Sequence, residues 1–281
     1  MNAITLSAYA KINLTLGITG VREDGYHTLS SIMQRVSLAD TVTVERIPHG
    51  IHITCSRDDV PTDERCLCHK AARRYLEAAA LEGGVRIQLE LMTPGEAGLG
   101  GGSADAAAVL RAMAALYPSE ADLFAIASTL GADVPFALLG GTALCEGIGE
   151  EMTPLTLPKN RPFAVIAKGK AGLSTPRIYA LYDTLAPLPK KAARNAAKML
   201  ESGDWQGFFG AMQNDLELPA MTLCPEIAHL KEALLSAGAD AAMMTGSGSA
   251  VFGLFFEEET ARRAADQLKA AGYFSSFCFL L

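Results

Sequence analysis

Five glycines fall within the nine residues that open PGEAGLGGGSADAAAVLRAM (residues 94–113), and an alanine-rich helical run follows at once. Glycine loses more conformational freedom on ordering than any other residue, so such a run marks a place where bare backbone is needed. The chemistry that suits it is anion binding. Amides at a helix N-terminus and the positive end of its dipole converge on a negative group, and no Cβ holds a polyphosphate away. Two common phosphate loops do not fit. Gly95 and Gly100 have Walker A spacing, but Gly101 stands where the lysine belongs. A dinucleotide fingerprint begun at Gly98 and Gly100 meets Ser103 instead of its third glycine. The HRD and DFG marks of protein kinases are absent. A flexible turn would not need the well-patterned strand before it or the helix after it.

Five other places carry chemistry-capable residues. Lys11 sits in the apolar run AYAKINL, and a buried ammonium needs a nearby anion. Asn13, two residues on, shares its strand face. Asp133 in GADVPF is, on local sequence, a turn aspartate after Gly131. In DGYH, Tyr26 offers a stacking face and His27 one donor and one acceptor nitrogen. TGSGS (245–249) is a second glycine loop or a tight strand–strand turn. Cys66, Cys68 and His69 crowd together, but neighbours two apart do not share a helix face and structural zinc takes four ligands, so core packing is expected. Six cysteines without a paired framework read as reduced thiols of a cytosolic protein.

The elements that must position these groups are mixed. The N-terminal third reads as strands, followed by a helix over CLCHKAARRYLEAAAL and a strand in GVRIQLELMTP. A helix is expected from Ser103 to about Tyr117, and another over SEADLFAIASTLGA with Ser119 as N-cap and Gly131 as its stop. GGTALCEGIGEEM returns to strand, and the proline-rich PLTLPKNRP reads as a domain boundary. Beyond it come the strand FAVIAKG, helical stretches to about Leu218, a helix in PEIAHLKEALLSAG, and strands flanking TGSGS. Helix EEETARRAADQLKAAG and strand FSSFCFLL end the chain. Without regular βαβ alternation the fold class is α+β. The 281 residues suit two domains, and 49% apolar with 20% charged residues is a globular balance. A net charge of −7 argues against nucleic acid or an anionic membrane as partner. No basic leader precedes an apolar block, and Asp133 and Pro135 interrupt the longest apolar stretch, so a cytoplasmic location is expected.

AKINLTLGITGVREDGYHTLSSIMQ (10–34), PGEAGLGGGSADAA (94–107), LGADVPFALLGGTALCEGIGE (130–150), NDLE (214–217) and TGSGS (245–249), in this order, resemble the GHMP kinases, the galacto-, homoserine, mevalonate and phosphomevalonate kinase group. The resemblance implies a two-domain α+β fold. An N-terminal domain like ribosomal protein S5 domain 2 would span 1–157 and a ferredoxin-like C-terminal domain 158–281, with ATP and substrate in the cleft between. It implies a kinase using ATP and Mg2+, with Pro94, Gly95, Glu96, Ala97, Gly98, Leu99, Gly100, Gly101, Gly102, Ser103 and Ala104 around the phosphates. Ser103 is also a candidate helix N-cap. Asp133 would accept or orient the proton of the attacking hydroxyl, with Lys11 as its partner. DGYH points to the branch acting on CDP-methylerythritol, a small-molecule substrate of isoprenoid precursor synthesis. Tyr26 and His27 would read its cytidine, Tyr179 close the other face of the base, Asn13 meet the erythritol portion, and Gly246 and Ser247 approach the diphosphate. No residue is implied as a metal ligand, and a monomer or weak homodimer is expected. The chain departs from the family at Ala104, where a second serine is usual, and at Cys66, where an asparagine is usual.

Overall fold

The structure, a computed structural model, describes residues 2–185 and 193–281. By packing the chain divides into two compact units. One holds Met1–Ala10, Ala39–Thr93 and Gly100–Leu139; the other holds Lys11–Leu38, Pro94–Leu99 and Gly140–Leu281. The strands β1 (Ala3–Val21) and β2 (His27–Ile47) each contribute residues to both.

The first unit adds β3 (Gly50–Cys55), α1 (Leu67–Ala78), β4 (Gly84–Glu90), α2 (Gly101–Leu116), α3 (Leu123–Ser128) and α4 (Val134–Leu139). The C-terminal half of β2 runs antiparallel to β4, with Val42 opposite Leu89, and β3 lies parallel to β4. The period-two pattern of GVRIQLE is realised: Val85, Ile87 and Leu89 are buried while Arg86, Gln88 and Glu90 are exposed. With Val42 and Val44 they pack against Ala71, Ala72 and Tyr75 of α1 and Ala107 and Leu110 of α2. Each such Val, Ile or Leu contributes about 1.5–3 kcal/mol by leaving water. The many alanines of α2 let it sit deep in this core, buried over most of its circumference.

The helix expected from Ser119 is shorter. It starts at Leu123 because the Asp122 carboxylate caps it, accepting the amides of Phe124 (2.9 Å) and Ala125 (3.1 Å). Ser119 instead shares a hydrogen bond with the Tyr75 hydroxyl (2.9 Å). The helix ends at Ser128, before Gly131.

In the second unit the N-terminal half of β2 pairs antiparallel with β5 (Thr142–Glu146), which pairs with β6 (Glu151–Leu155). Pro154 and Leu155 thus extend a strand, and proline is tolerated because β6 ends its sheet. The other sheet is antiparallel, in the order β10-β7-β9-β8, and is built from β7 (Phe163–Lys168), β8 (Ala241–Met244), β9 (Val251–Phe255) and β10 (Phe274–Phe279). The helices of this unit are α5 (Thr175–Tyr182), α6 (Ala193–Ser202), α7 (Trp205–Ala211), α8 (Glu217–Leu223), α9 (Glu226–Ser236) and α10 (Glu258–Ala270). The helical reading over 186–192 lies outside the described residues. Glu258 and Glu259 open α10 and Lys269 stands in its last turn, each favourable to the helix dipole. Among the described residues no helix is long and apolar enough to cross a membrane.

Candidate active site

In the first unit, the exit of the glycine loop forms a helix mouth. α2 begins at Gly101, two residues before Ser103, with Gly100 at the N-cap in the left-handed region (φ 68°). Ser103 is therefore the third helical residue and not the N-cap, because the glycine can take a backbone turn that serine resists. The first intrahelical bond runs from the Ala104 amide to the Gly100 carbonyl (2.9 Å), so the amides of Gly101, Gly102 and Ser103 have no acceptor within the helix. A Cβ on Gly102 would meet nothing within 4 Å, whereas one on Gly101 would press to 3.0 Å from Thr93 Cγ2. Open space at Gly102 and three amides without an acceptor in the helix fit a phosphate group. Ala104 is buried and offers no hydroxyl.

Beneath this mouth lie acids. Burial first, then the nearby Asp40 and Cys66, push the Asp105 carboxyl up to about 8. Burial also raises Asp40, against the pull of two backbone amides and Arg57. Cys66 is the buried N-cap residue of α1, and a hydrogen bond with Cys68 pulls its thiol down to about 6. Asp133 is half-buried and immediately precedes α4, its carbonyl accepting the Ala137 amide (3.0 Å).

In the second unit the entry side of the loop is held by its carbonyls. Those of Glu96, Ala97, Gly98 and Leu99 accept, in turn, the Ser249 amide (3.3 Å), the Ala250 amide (3.2 Å), the Thr245 hydroxyl (3.2 Å) and the Lys11 amide (2.9 Å). A Cβ on Gly98 (φ +72°) would fall 2.1 Å from the Thr245 carbonyl oxygen, and one on Gly246 (φ +56°) 3.1 Å from Gly98 Cα. The two glycine loops therefore pack backbone on backbone. Glycine at these two positions serves that approach, a use distinct from the open face at Gly102.

Lys11 and Asn13 come together as their spacing predicts. Both are buried (7% and 1% exposed), and the Lys11 ammonium donates to Asn13 Oδ1 at 2.7 Å. Asn13 is itself fixed: its Nδ2 donates to Ser31 Oγ (2.8 Å) and its backbone amide to Thr245 Oγ1 (3.0 Å). Ser31 in turn donates to the Thr15 carbonyl (2.5 Å). Strand alternation puts residues 11, 13 and 15 on one polar face while Ile12, Leu14 and Leu16 pack on the other. Ser247 shares a hydrogen bond with Thr175 Oγ1 (2.7 Å) at the start of α5.

His27 and Tyr179 also meet, their ring centroids 4.8 Å apart and tilted by 37°. His27 Nε2 lies 2.7 Å from Asp183 Oδ1. A carboxylate needs a donor, so a neutral ring carries its proton on Nε2 and leaves Nδ1 as an acceptor. Tyr26 is 64% exposed, on a turn shaped by Gly25 (φ +84°).

Several residues whose individual roles are not legible in the sequence hold this arrangement. Asn214 Nδ2 donates to the carbonyls of Met244 (2.8 Å) and Gly246 (2.9 Å), pinning the TGSGS loop. Asp215 accepts the Ile18 amide (2.9 Å). Glu217 accepts the Met244 amide (3.1 Å) and pairs with Lys231. Their signal was the NDLE run itself, four residues whose polar members are all buried. Asp183 had no signal, being 156 positions from His27.

Comparison with known proteins places the chain. Residues 67–141 match the GHMP kinases N terminal domain and residues 193–273 the GHMP kinases C terminal family. The chain is 39% identical to the 4-diphosphocytidyl-2-C-methyl-D-erythritol kinase of Clostridium botulinum, over 95% of this chain and 96% of that one. Its identity to the enzyme of that name from Thermus thermophilus is 44%, over 94% and 92%. A crystal structure of 4-(cytidine 5'-diphospho)-2C-methyl-D-erythritol kinase superposes with TM-score 0.84 at 42% identity, covering 98% of this chain and 99% of that one. Homoserine kinase from Cytophaga hutchinsonii shares the fold, with TM-score 0.76 at 22% identity over 99% and 94%. The α+β architecture with two sheets is the GHMP kinase fold, and the chain belongs to the GHMP kinase family, in its 4-diphosphocytidyl-2-C-methyl-D-erythritol kinase branch.

Proposed function

We propose that the chain transfers the γ-phosphoryl group of ATP to the 2-hydroxyl of 4-diphosphocytidyl-2-C-methyl-D-erythritol, giving the 2-phosphate and ADP. Use of ATP comes with membership of a kinase family. The observation that carries the substrate is near-full-length identity of 39–44% to relatives of that name. His27 supports it: Nδ1 is left to accept a cytosine amino hydrogen, and Tyr179 stands beside the ring. The reading includes a cytoplasmic location, and the N- and C-terminal domains 1–157 and 158–281.

Phosphoryl transfer passes through a loose transition state, so the protein chiefly positions groups and neutralises charge. In this reading Pro94–Ala104 surround the phosphates, and the amides of Gly101, Gly102 and Ser103 do most at the helix mouth. Asp133 accepts or orients the proton of the attacking hydroxyl. Lys11 balances charge gathering on the transferred group, its ammonium aimed by Asn13. Asn13 also meets the erythritol portion, Gly246 and Ser247 the diphosphate, and Tyr26, His27 and Tyr179 the base. Mg2+ supplies charge neutralisation when it arrives on the nucleotide.

An ADP-release assay with the cytidine substrate, beside mevalonate and homoserine, tests the proposal. Turnover of the cytidine compound alone is expected. Turnover of mevalonate or homoserine instead would move the chain to another branch, and ATP binding with no acceptor phosphorylated would make it a nucleotide sensor.

A further inference from the structure

The acids beneath α2 take no part in the chemistry above, yet they touch both ends of the glycine loop. Asp40 lies in β2 and Asp105 in the second turn of α2, and both are buried, Asp105 to 4% exposure. Asp40 Oδ1 accepts the amides of Met92 (2.6 Å) and Thr93 (2.7 Å), the last residues before Pro94. Asp105 follows directly on the loop's far end, and its carboxyl is a hydrogen-bond neighbour of Asp40. Gly101 is seated on the same group, since a Cβ there would lie 3.5 Å from Asp40 Oδ2.

Two carboxylates in buried contact do not both ionise; one keeps a proton and donates it to the other. The two amides and the nearby Arg57 favour the charge on Asp40. The titratable groups facing Asp105 are acids: Asp40 from β2, and Cys66 and Cys68 from α1. Cys55 of β3 faces Cys68 and Arg57. Oδ1 of Asp105 is buried without a hydrogen-bond partner among the described residues, a setting for a neutral carboxyl and not for a charge. The upward push on Asp105, to about 8, agrees with that assignment.

We propose that Asp40 and Asp105 share one proton and so clasp the two ends of the glycine loop, setting the loop's affinity for ATP. The link to ATP rests on the role given to the loop above; the shared proton does not. Loss of the proton to solvent turns a hydrogen bond into repulsion between two carboxylates. It also loosens the seat of Gly101 on Thr93 and brings a second negative charge under the phosphate amides. Asp105 is thus a positioning residue.

The test is equilibrium binding of a non-hydrolysable ATP analogue to the full chain from about pH 6.5 to 9.5, with carbon NMR of labelled aspartate carboxyls. Affinity is expected to fall at least about 5-fold as pH rises through the titration. One aspartate carboxyl should titrate in the same range. D105N, whose amide donates the same bond and cannot ionise, should bind at the alkaline end as the native chain binds near neutrality. D105A should bind weakly throughout. Flat native affinity, an alkaline loss retained in D105N, or a spectrum in which every aspartate titrates in the ordinary carboxylate range overturns the clasp. If the native chain binds no analogue at any pH, the loop's assignment fails, and the carboxyl titration still decides the shared proton. The same titration decides it if D105A does not fold.

Discussion

At the scale of single residues, each proposed role predicts a different kinetic signature. Asp133→Asn keeps the shape of the side chain and removes its basicity, so turnover should fall by at least ~10², the lower range for a positioned acid or base, with ATP affinity little changed. Unchanged turnover in a steady-state assay would remove Asp133 from the chemistry. His27→Ala deletes the acceptor nitrogen and the ring packed on Tyr179. The KM for the cytidine substrate should then rise far more than that for ATP; equal rises would make DGYH scaffolding. Lys11 and Asn13 read correctly from their spacing because a strand's alternation is strict. The same alternation brings the Lys11 ammonium to the Asn13 amide oxygen.

At the scale of elements, the glycine loop divides its residues between two tasks, and substitution separates them. Gly102 is the second helical residue, with open space where a side chain would go. Gly102→Ala should leave thermal stability unchanged or raise it, by up to about 1 kcal/mol from helix propensity, while the KM for ATP rises. Gly98→Ala should do the reverse. Its left-handed backbone and the 2.1 Å approach to the Thr245 carbonyl demand a shift of both loops, a loss of more than about 1 kcal/mol that calorimetry would register. The start of α2 two residues before Ser103 belongs to the same lesson. The sequence showed a helix beginning after glycines, but which glycine takes the left-handed cap depends on how Gly101 packs against Thr93.

For the whole molecule, the buried acid gives stability a pH dependence of definite sign. Asp105 is raised from 3.8 to about 8, so the folded chain keeps a proton that the unfolded chain releases in that interval. The unfolded state then binds fewer protons, and the stability linked to this group falls as pH rises from about 4 and levels off near 8. Urea midpoints should decline over that window, and D105N should flatten the decline. A native midpoint that holds level while D105N matches it would show that the carboxyl is ionised throughout.

The sequence alone determined the mixed α+β class, nearly every strand and helix, and the residues around which the kinase reading is built. Those features are written in short-range pattern: alternation in GVRIQLE, glycines before an alanine-rich helix, and the ordered blocks from AKINL to TGSGS. Tertiary structure decided what partners those residues take. Asp183 reaches His27 from 156 positions away, Thr245 meets Asn13 from 232 away, and Asp40 of β2 finds Asp105 of α2. Such pairings arise because burial forces each polar group to find a partner wherever the fold brings one, and no local spacing records that outcome.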